Sequence, residues 1–387
     1  MALVSIPQGL WYPWSPIEYA SSVGALATVR TMDAAAEGVA FIGHVYINGR
    51  PAGAKTFSSS GGKIHWRSGA VTFANAGTSI DVGVQDVDTT TGQPARSDGT
   101  FDVSGTLVGG TDTIAATSLI TTSMETGSKS ITHGDLIAIC LLMTARGGAD
   151  SVVVQGVTYS AGNMWRPTIS FVASGAWTEL TSSQPIAVIE FDDGTLGHFF
   201  MHGQMTGMYV AATSETYADA TNPDERGMLF QVPWQCKIDA LAAKFSVASA
   251  TTSDFTMSLY ATPLGTPSAL DSVAIPAESL GNTTTANPFI RGLASEIQLE
   301  ANTDYMLALR ATGAGNIGHN LITLADAGHR IFFPGGTTVR KGTRDGGSGA
   351  FTAESPAITL YRMGVRISAF HDSAGGGASI LGGSIIK

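Results

Sequence analysis

Short segments in which apolar residues alternate with small or polar ones recur along the whole chain. This two-residue period constrains the fold more than any other feature. Residues 80–84, 255–259 and 358–360 follow it, and residues 45–47 follow it into Asn48-Gly49, a dipeptide typical of tight turns between strands. Helical spacing of apolar residues is scarce. Many short strands separated by turn residues are typical of β-sandwiches and jelly rolls, so we predict an all-β chain.

The chain also repeats itself. Five segments have a similar segment later in the chain, in the same order: 37–41 and 226–230, 80–84 and 255–259, 133–137 and 302–306, 167–171 and 356–360, 191–194 and 370–373. The offset between partners stays between about 169 and 189 residues. We therefore predict a tandem duplication of one jelly-roll-like β-sandwich. The alternative is two unrelated sandwiches that share turn chemistry.

The repeat and the composition divide the chain into four segments. We predict an aromatic N-terminal arm (1–19), a first sandwich (20–198), a second sandwich (199–370) and a Gly-rich tail (371–387). Trp and Tyr are enriched as anchors of protein interfaces, and a solvated tail has no need of large aliphatic residues. We therefore predict that both ends make subunit contacts, with a disordered tail as the alternative. The predicted contact residues are Trp11, Tyr12, Trp14, Ile380, Leu381, Ile385 and Ile386.

Charge and hydropathy exclude two classes of partner. The 387 residues include 21 Lys and Arg against 31 Asp and Glu, a net charge of −10. Such a chain lacks the basic surface that nucleic-acid binding requires. The longest apolar run, residues 136–143, is far shorter than the roughly 20 residues of a spanning helix, so we expect no membrane insertion. The first residues contain no early Lys or Arg, so we expect no secretory signal.

No catalytic motif is present. The chain has no G-x-S-x-G elbow, no phosphate loop and no H-E-x-x-H zinc motif. We therefore expect no enzymatic activity, no cofactor and no metal. Asp86 and Asp88 have the alternating oxygens of a calcium loop but no closing Glu. His198 and His202 have an i, i+4 spacing, but their surroundings do not look helical.

The densest acidic cluster contains Glu190, Asp192 and Asp193. Paired carboxylates can hydrolyse glycosidic bonds, whereas Asp193-Gly194 is also ordinary turn chemistry. Cys140 and Cys236 lie in apolar, strand-like runs, so we expect buried free thiols and no disulfide.

Several aromatic and basic residues are candidates for binding sugars. Tryptophan faces can stack on sugar rings, and neighbouring His or Arg side chains can donate hydrogen bonds to hydroxyls. The candidate residues are Trp66, Trp165, Trp177, His65, Arg67 and Arg166. Burial in a core or interface is the alternative, because tryptophan gains so much from it. The basic run at 340–344 predicts a solvated loop or a contact with an acidic neighbouring subunit.

In style, the chain resembles virion proteins of tailed bacteriophages, such as fibre, tail-tip and capsid-decorating subunits. The resemblance rests on Ser/Thr/Gly/Ala-rich tandem sandwiches, few charges, the aromatic arm and the terminal GGGASILGGSIIK. It matches no specific family motif and transfers no site residues. It implies a homo-oligomeric structural protein of a phage fibre, spike or tail, assembled in the host cytoplasm and located in the virion. Its partners would be other virion proteins, copies of itself and host-surface glycans. The alternatives are a non-catalytic carbohydrate-binding protein, a capsid-decoration protein and a polysaccharide hydrolase.

Overall fold

Strands make up the regular structure of the computed structural model. It describes residues 10–14, 26–49, 51, 53–96, 98–158, 169–173, 176–180, 183–184, 187–200, 211–219, 223–247, 255–276, 287–312, 317–323, 331, 338–354 and 359–370. These ranges contain 29 β-strands and no α-helix, which confirms the all-β prediction. Contacts divide the chain into two units, residues 19–202 and residues 203–387 together with 1–18. We call them the N-terminal and the C-terminal unit.

The N-terminal unit is one branched antiparallel sheet of sixteen strands. They are β2 (Leu26–Met32), β3 (Glu37–Ile47), β4 (Lys55–Ser58), β5 (Lys63–Thr72), β6 (Ser79–Asp88), β7 (Gln93–Pro94), β8 (Val103–Val108), β9 (Leu119–Ser123), β10 (Thr126–Ile131), β11 (Leu136–Ala145), β12 (Ser151–Thr158), β13 (Ile169–Ala173), β14 (Ala176–Leu180), β15 (Ser183–Gln184), β16 (Ala187–Glu190) and β17 (Leu196–Phe200). The longest path of paired strands runs β15-β12-β5-β16-β17-β3-β11-β6-β8-β10-β4. Alternate residues of these strands, such as Ile80, Val82 and Val84 of β6, fill one shared core.

The C-terminal unit is a β-sandwich of two antiparallel sheets with seven and six strands. Its strands are β1 (Leu10–Tyr12), β18 (Ala211–Tyr217), β19 (Glu225–Gln231), β20 (Cys236–Val247), β21 (Phe255–Ala261), β22 (Ser268–Ile275), β23 (Asn287–Leu299), β24 (Asp304–Ala311), β25 (Ile317–Thr323), β26 (Arg340–Arg344), β27 (Thr352–Ala353), β28 (Thr359–Tyr361) and β29 (Met363–Phe370). One sheet runs β1-β29-β20-β25-β18, with β23 on β20 and β28 on β25; the other runs β22-β21-β24-β19-β26-β27. Phe245 of the first sheet meets Phe255 of the second with ring centroids 6.3 Å apart.

The two units share one strand connectivity. Taken in chain order, strands β18 to β29 of the C-terminal unit correspond one by one to β2, β3, β5, β6, β8, β9 and β11 to β16 of the N-terminal unit. β11 pairs with β3 and β6, as β24 pairs with β19 and β21. β5 pairs with β9, β12 and β16, as β20 pairs with β23, β25 and β29. The remaining pairs also match: β2–β12 corresponds to β18–β25, β6–β8 to β21–β22, β12–β15 to β25–β28, β3–β13 to β19–β26, and β13–β14 to β26–β27.

The sequence repeat follows this correspondence only in part. Three of its five matches reach corresponding strands. The match of 191–194 with 370–373 begins only where β16 and β29 end. Residues 167–171 reach β13, whereas 356–360 reach β28, the counterpart of β15. The strand registers also differ. In the N-terminal unit, Ile139 of β11 pairs with Phe41 of β3. Their sequence matches are Ala308 and Phe230, but Ala308 pairs with Gly227.

The N-terminal arm belongs to the C-terminal unit. β1 pairs with β29, with Leu10 opposite Ile367 and Tyr12 opposite Val365. The side chains of Trp11, Tyr12 and Trp14 are 0%, 0% and 6% exposed. The prediction that these three aromatics contact another subunit is wrong for this fold, because their own chain already buries them.

Two further expectations need correction. The predicted boundary between residues 198 and 199 falls inside β17, which pairs with β16 and β3 and so belongs to the N-terminal unit. The basic run at 340–344 is not a solvated loop but strand β26. Its residue Arg344 is 8% exposed and bonds to Glu225 of the neighbouring strand β19.

Candidate functional site

Strand β5 carries polar side chains on the face of its sheet that points away from the core. Ile64 and Trp66 of this strand are fully buried in the core of the N-terminal unit. Because successive side chains of a strand point to opposite faces, Lys63, His65 and Arg67 lie on the other face. At these residues one edge of β5 pairs with β9 and the other edge pairs with β16.

His65 connects a hydroxyl to a carboxylate across these three strands. Its Nδ1 lies 2.9 Å from Thr121 Oγ1 on β9, and its Nε2 lies 2.9 Å from Glu190 Oε2 on β16. Lys63 Nζ donates to the second carboxylate oxygen of Glu190 at 2.6 Å. We call Lys63, His65, Thr121 and Glu190 the outer-face row.

Burial sets the protonation states of this row. His65 is 5% exposed, and burial lowers the pKa of its imidazole, an effect that the hydrogen bond to Glu190 only partly offsets. Burial by itself raises the pKa of Glu190, but the hydrogen bonds from Lys63 and His65 outweigh it and leave that pKa below its usual value. At neutral pH the row therefore holds a neutral imidazole between the exposed hydroxyl of Thr121 and an ionised carboxylate.

The order hydroxyl, imidazole, carboxylate is that of a nucleophile, its general base and the group that orients the base. A search for catalytic motifs in the sequence missed this row. His65 is 56 residues from Thr121 and 125 residues from Glu190. Only the pairing of β5 with β9 and β16 brings the three together, and the sequence around Thr121 carries no signal of its own.

Two of the predicted sugar-binding residues face the wrong way or are already engaged. Trp66 is fully buried, and its indole N–H donates to Thr122 Oγ1 at 3.1 Å. Arg67 is 2% exposed and donates to Gln155 Oε1 and to the Thr117 carbonyl oxygen, both at 3.0 Å. The prediction that both face a sugar is wrong, because Trp66 is an inward position of β5 and these two acceptors already engage the Arg67 guanidinium.

The other candidates for sugar binding lie in different surroundings. His65 belongs to the outer-face row. Trp177 is half-buried beside Ala40 and Cys140, and its indole N–H donates to the Arg96 carbonyl oxygen at 2.9 Å. Trp165 and Arg166 lie outside the described residues, as do the tail residues 371–387.

The acidic cluster separates into three carboxylates with different partners. Glu190 belongs to the outer-face row. Asp192 accepts hydrogen bonds from the backbone N–H of Ser58 at 2.8 Å and from its Oγ at 2.6 Å. Asp193 pairs with Lys55, and hydrogen bonds from Lys55 and then Thr195 lower its pKa to about 2. These contacts do not support a glycosidase pair of Glu190 and Asp192.

The candidate metal ligands of the sequence are engaged elsewhere. Asp86 accepts a hydrogen bond from Lys129 Nζ at 2.7 Å, and Asp88 accepts one from the backbone N–H of Thr90 at 2.8 Å. Across the described ranges, no group of three or more His, Cys, Asp or Glu side chains is placed to hold a metal ion. His198 is buried in β17, and His202 is not among the described residues.

Both cysteines are buried free thiols, as expected. Burial raises the pKa of Cys140 well above its usual range and that of Cys236 to about 12. Neither thiol is therefore a nucleophile at neutral pH.

Comparison with known proteins adds no identification. No protein-family model, no curated protein and no solved structure matches the chain. A search of the described residues for a helix long and apolar enough to cross a membrane found none.

Proposed function

We propose that the chain is a structural protein of a phage particle, part of a fibre, spike or tail appendage, where it assembles with copies of itself and with other virion proteins. The proposal rests on the architecture. The two β-units share one strand connectivity, and only 13% of the residues are charged. Such a chain suits multivalent display, because weak contacts become strong when several copies engage together. Capsid decoration is an alternative position within the particle.

We also infer that the two units arose by tandem duplication of one jelly-roll-like sandwich. The shared connectivity and the three ordered sequence matches on corresponding strands support this inference. The different partners of Ile139 and Ala308 require a shift of strand register after the duplication.

The outer-face row is the candidate contact with host glycans. Thr121 is exposed, and the side chains of Lys63 and Glu190 are 39% and 20% exposed. They offer a hydroxyl, an ammonium and a carboxylate, which can all hydrogen-bond to sugar hydroxyls. A glycan array comparing the native chain with Glu190→Gln tests this, with Glu125→Gln, another change of one carboxylate on the same unit, as the control.

The structural role is tested on particles. Mass spectrometry of purified particles from a host that carries the gene should detect the chain, and electron microscopy should show particles without the gene lacking one appendage. Neighbouring reading frames should encode portal, capsid and tail proteins. Intact particles that contain no trace of the chain would refute the proposal.

The geometry of the outer-face row favours a second candidate function, the hydrolysis of ester groups on glycans. Thr121 Oγ would attack the ester carbonyl carbon as its proton passes to His65 Nδ1, and the imidazolium would then protonate the departing alcohol. Water, deprotonated by His65, would release the acid and restore Thr121. The sequence-based expectation of no enzymatic activity remains a prediction.

A fluorophosphonate probe and an acetylated glycan separate this function from simple binding. Labelling and turnover that Thr121→Val and Glu190→Gln both abolish would support hydrolysis. Ser123→Val, a hydroxyl change at the next residue of β9 on the same face, is the control. Turnover at the background rate would leave glycan binding as the function of the row.

A further inference from the structure

The charge of Glu190 fixes the direction of the hydrogen bonds that His65 makes in the outer-face row. An ionised carboxylate only accepts hydrogen bonds, so the imidazole nitrogen that faces it, Nε2 of His65, must carry the proton. At neutral pH the imidazole is uncharged and has a single N–H, so its Nδ1 has a lone pair. Thr121 Oγ1, which lies 2.9 Å from Nδ1, must therefore donate its proton to His65.

This direction determines what Thr121 offers to a ligand. A threonine hydroxyl has one proton and two lone pairs, and the proton of this hydroxyl is directed at His65. Because Thr121 is exposed, the remaining lone pair is open to solvent. Thr121 is therefore an acceptor at neutral pH, and a ligand must bring it a hydrogen-bond donor.

Lys63 has the opposite polarity on the same face of the sheet. It pairs with Ser123, two residues along β9 from Thr121, so Lys63 and Thr121 are diagonal neighbours, within reach of long side chains. One of the three N–H groups of its ammonium donates to Glu190, and the side chain is 39% exposed. The row thus presents a donor beside an acceptor.

Charged ligand groups suit this donor and acceptor poorly. A carboxylate would accept a hydrogen bond from Lys63, but it has no proton for Thr121 and is repelled by Glu190. An ammonium would donate to Thr121, but it is repelled by Lys63. A secondary amide is neutral, and its N–H and C=O are held in one plane and point in opposite directions. One rigid group therefore supplies both partners.

We propose that the outer-face row binds the acetamido group of N-acetylated amino sugars. The amide N–H donates to Thr121 Oγ1, and the amide oxygen accepts from Lys63 Nζ. The inference rests on the glycan contact proposed above and names its class of sugar. A plain sugar hydroxyl can also donate to Thr121, but it must give up rotational freedom that the planar amide does not have.

Two sugars that differ only in this group test the proposal. NMR titration compares the affinity of the native chain for methyl N-acetyl-β-glucosaminide with its affinity for methyl β-glucoside. We expect the N-acetylated sugar to bind about tenfold more tightly. The preference should disappear in Thr121→Val and persist in Thr121→Ser, which keeps the hydroxyl. The control is Ser130→Val, which removes an exposed hydroxyl from β10 and should keep the preference.

The direction of the hydrogen bonds is tested without any sugar. Nitrogen NMR of the chain labelled at histidine, with His65→Gln to assign the signals, should show a proton on Nε2 of His65 and none on Nδ1. Glu190→Gln removes the charge that fixes this tautomer, so the other tautomer should appear. A proton on Nδ1 in the native chain, equal affinity for the two sugars, or no binding of either would overturn the proposal. Equal affinity would leave the glycan contact standing, and detection of the chain in particles does not depend on any of these results.

Discussion

His319 is a histidine whose charge state the fold strongly perturbs. It is fully buried on β25 and stacks on Tyr361 with ring centroids 4.2 Å apart. Neither ring nitrogen has a hydrogen-bond partner within the described part of the chain. Burial, then the positive charges of Lys341 and Arg226, lower its pKa to about 3. The imidazole is therefore neutral in the folded protein over most of the acidic range.

This pKa makes stability depend on pH. In the unfolded chain a histidine titrates near pH 6.5, so between about pH 6.5 and 3 the unfolded state binds a proton that the folded state does not. We expect His319 to cost up to about 1.4 kcal/mol of unfolding free energy per pH unit as the pH falls through this window. Urea unfolding at several pH values should show a shallower loss for His319→Phe, which keeps a ring on Tyr361. His44→Gln is the exposed control, and a slope equal to the native one in His319→Phe would contradict this prediction.

Glu225 and Arg344 form a buried ion pair between β19 and β26. Glu225 is 1% exposed, and its Oε2 lies 2.6 Å from Arg344 Nε. Arg344 also donates to the hydroxyl of Tyr260 at 2.7 Å, and that hydroxyl donates to Glu225 at 2.9 Å. The pair closes a hydrogen-bonded ring, so removing one partner leaves a buried charge unpaired.

We expect Glu225→Gln to destabilise the C-terminal unit by about 3–5 kcal/mol, the usual cost of an unpaired buried charge. Glu296→Gln is the matched control. Its partner Lys237 lies at 3.3 Å, and both side chains are more than a third exposed, so we expect a loss of about 0–1 kcal/mol. Chemical denaturation measures both. Equal losses in the two variants would show that the buried ring does not hold the unit together.

At the scale of elements, β1 supplies the C-terminal unit with a strand from the far end of the chain. In the N-terminal unit, β17 lies beside β16 in the corresponding place. Trp11 packs with Trp14, Ala240 and Ala242. Gly364 of β29 allows the close approach, because a Cβ there would overlap the Trp14 carbonyl oxygen.

We expect Trp11→Ala to destabilise the C-terminal unit alone by about 3–5 kcal/mol, the usual cost of removing a buried tryptophan. Trp66→Ala is the mirror control, because Trp66 is equally buried in the core of the N-terminal unit. Hydrogen exchange with mass spectrometry assigns each loss to a unit. A third variant, Gly364→Ala, should loosen β1 without removing any apolar side chain. Faster exchange of the N-terminal unit in Trp11→Ala would contradict the assignment of β1.

The sequence predicts the elements better than their partners. Alternation places β6 and β21, because a half-buried strand must show one face to the core. It cannot place β1, whose partner lies about 355 residues away. The same limit hides the outer-face row, since Thr121 reaches His65 only through the pairing of β9 with β5. Buried charges also make composition a misleading guide. The basic run of β26 has the composition of a solvated loop, but its charged side chains pair with carboxylates that are distant in the sequence.

At the scale of the whole molecule, one unit is continuous in sequence and the other is not. We expect residues 19–202 to fold when expressed alone, because the described strands of that unit pair only with one another. Residues 203–387 should fold poorly alone and improve when a peptide of residues 1–18 is added in trans. Circular dichroism and thermal unfolding of the fragments measure this. The peptide with Trp11→Ala is the control, and a fragment 203–387 that is fully stable without any peptide would contradict the prediction.

The pairing of β1 with β29 also has a consequence for the ribosome. At about 5–20 residues per second, the roughly 355 residues that separate the two strands take about 20–70 s to translate. During that time Trp11, Tyr12 and Trp14 have been made but have no partner strand. We expect the apolar side chains of β1 to stay without their strand partner throughout this interval, so the nascent chain carries an unprotected apolar segment until β29 has been made.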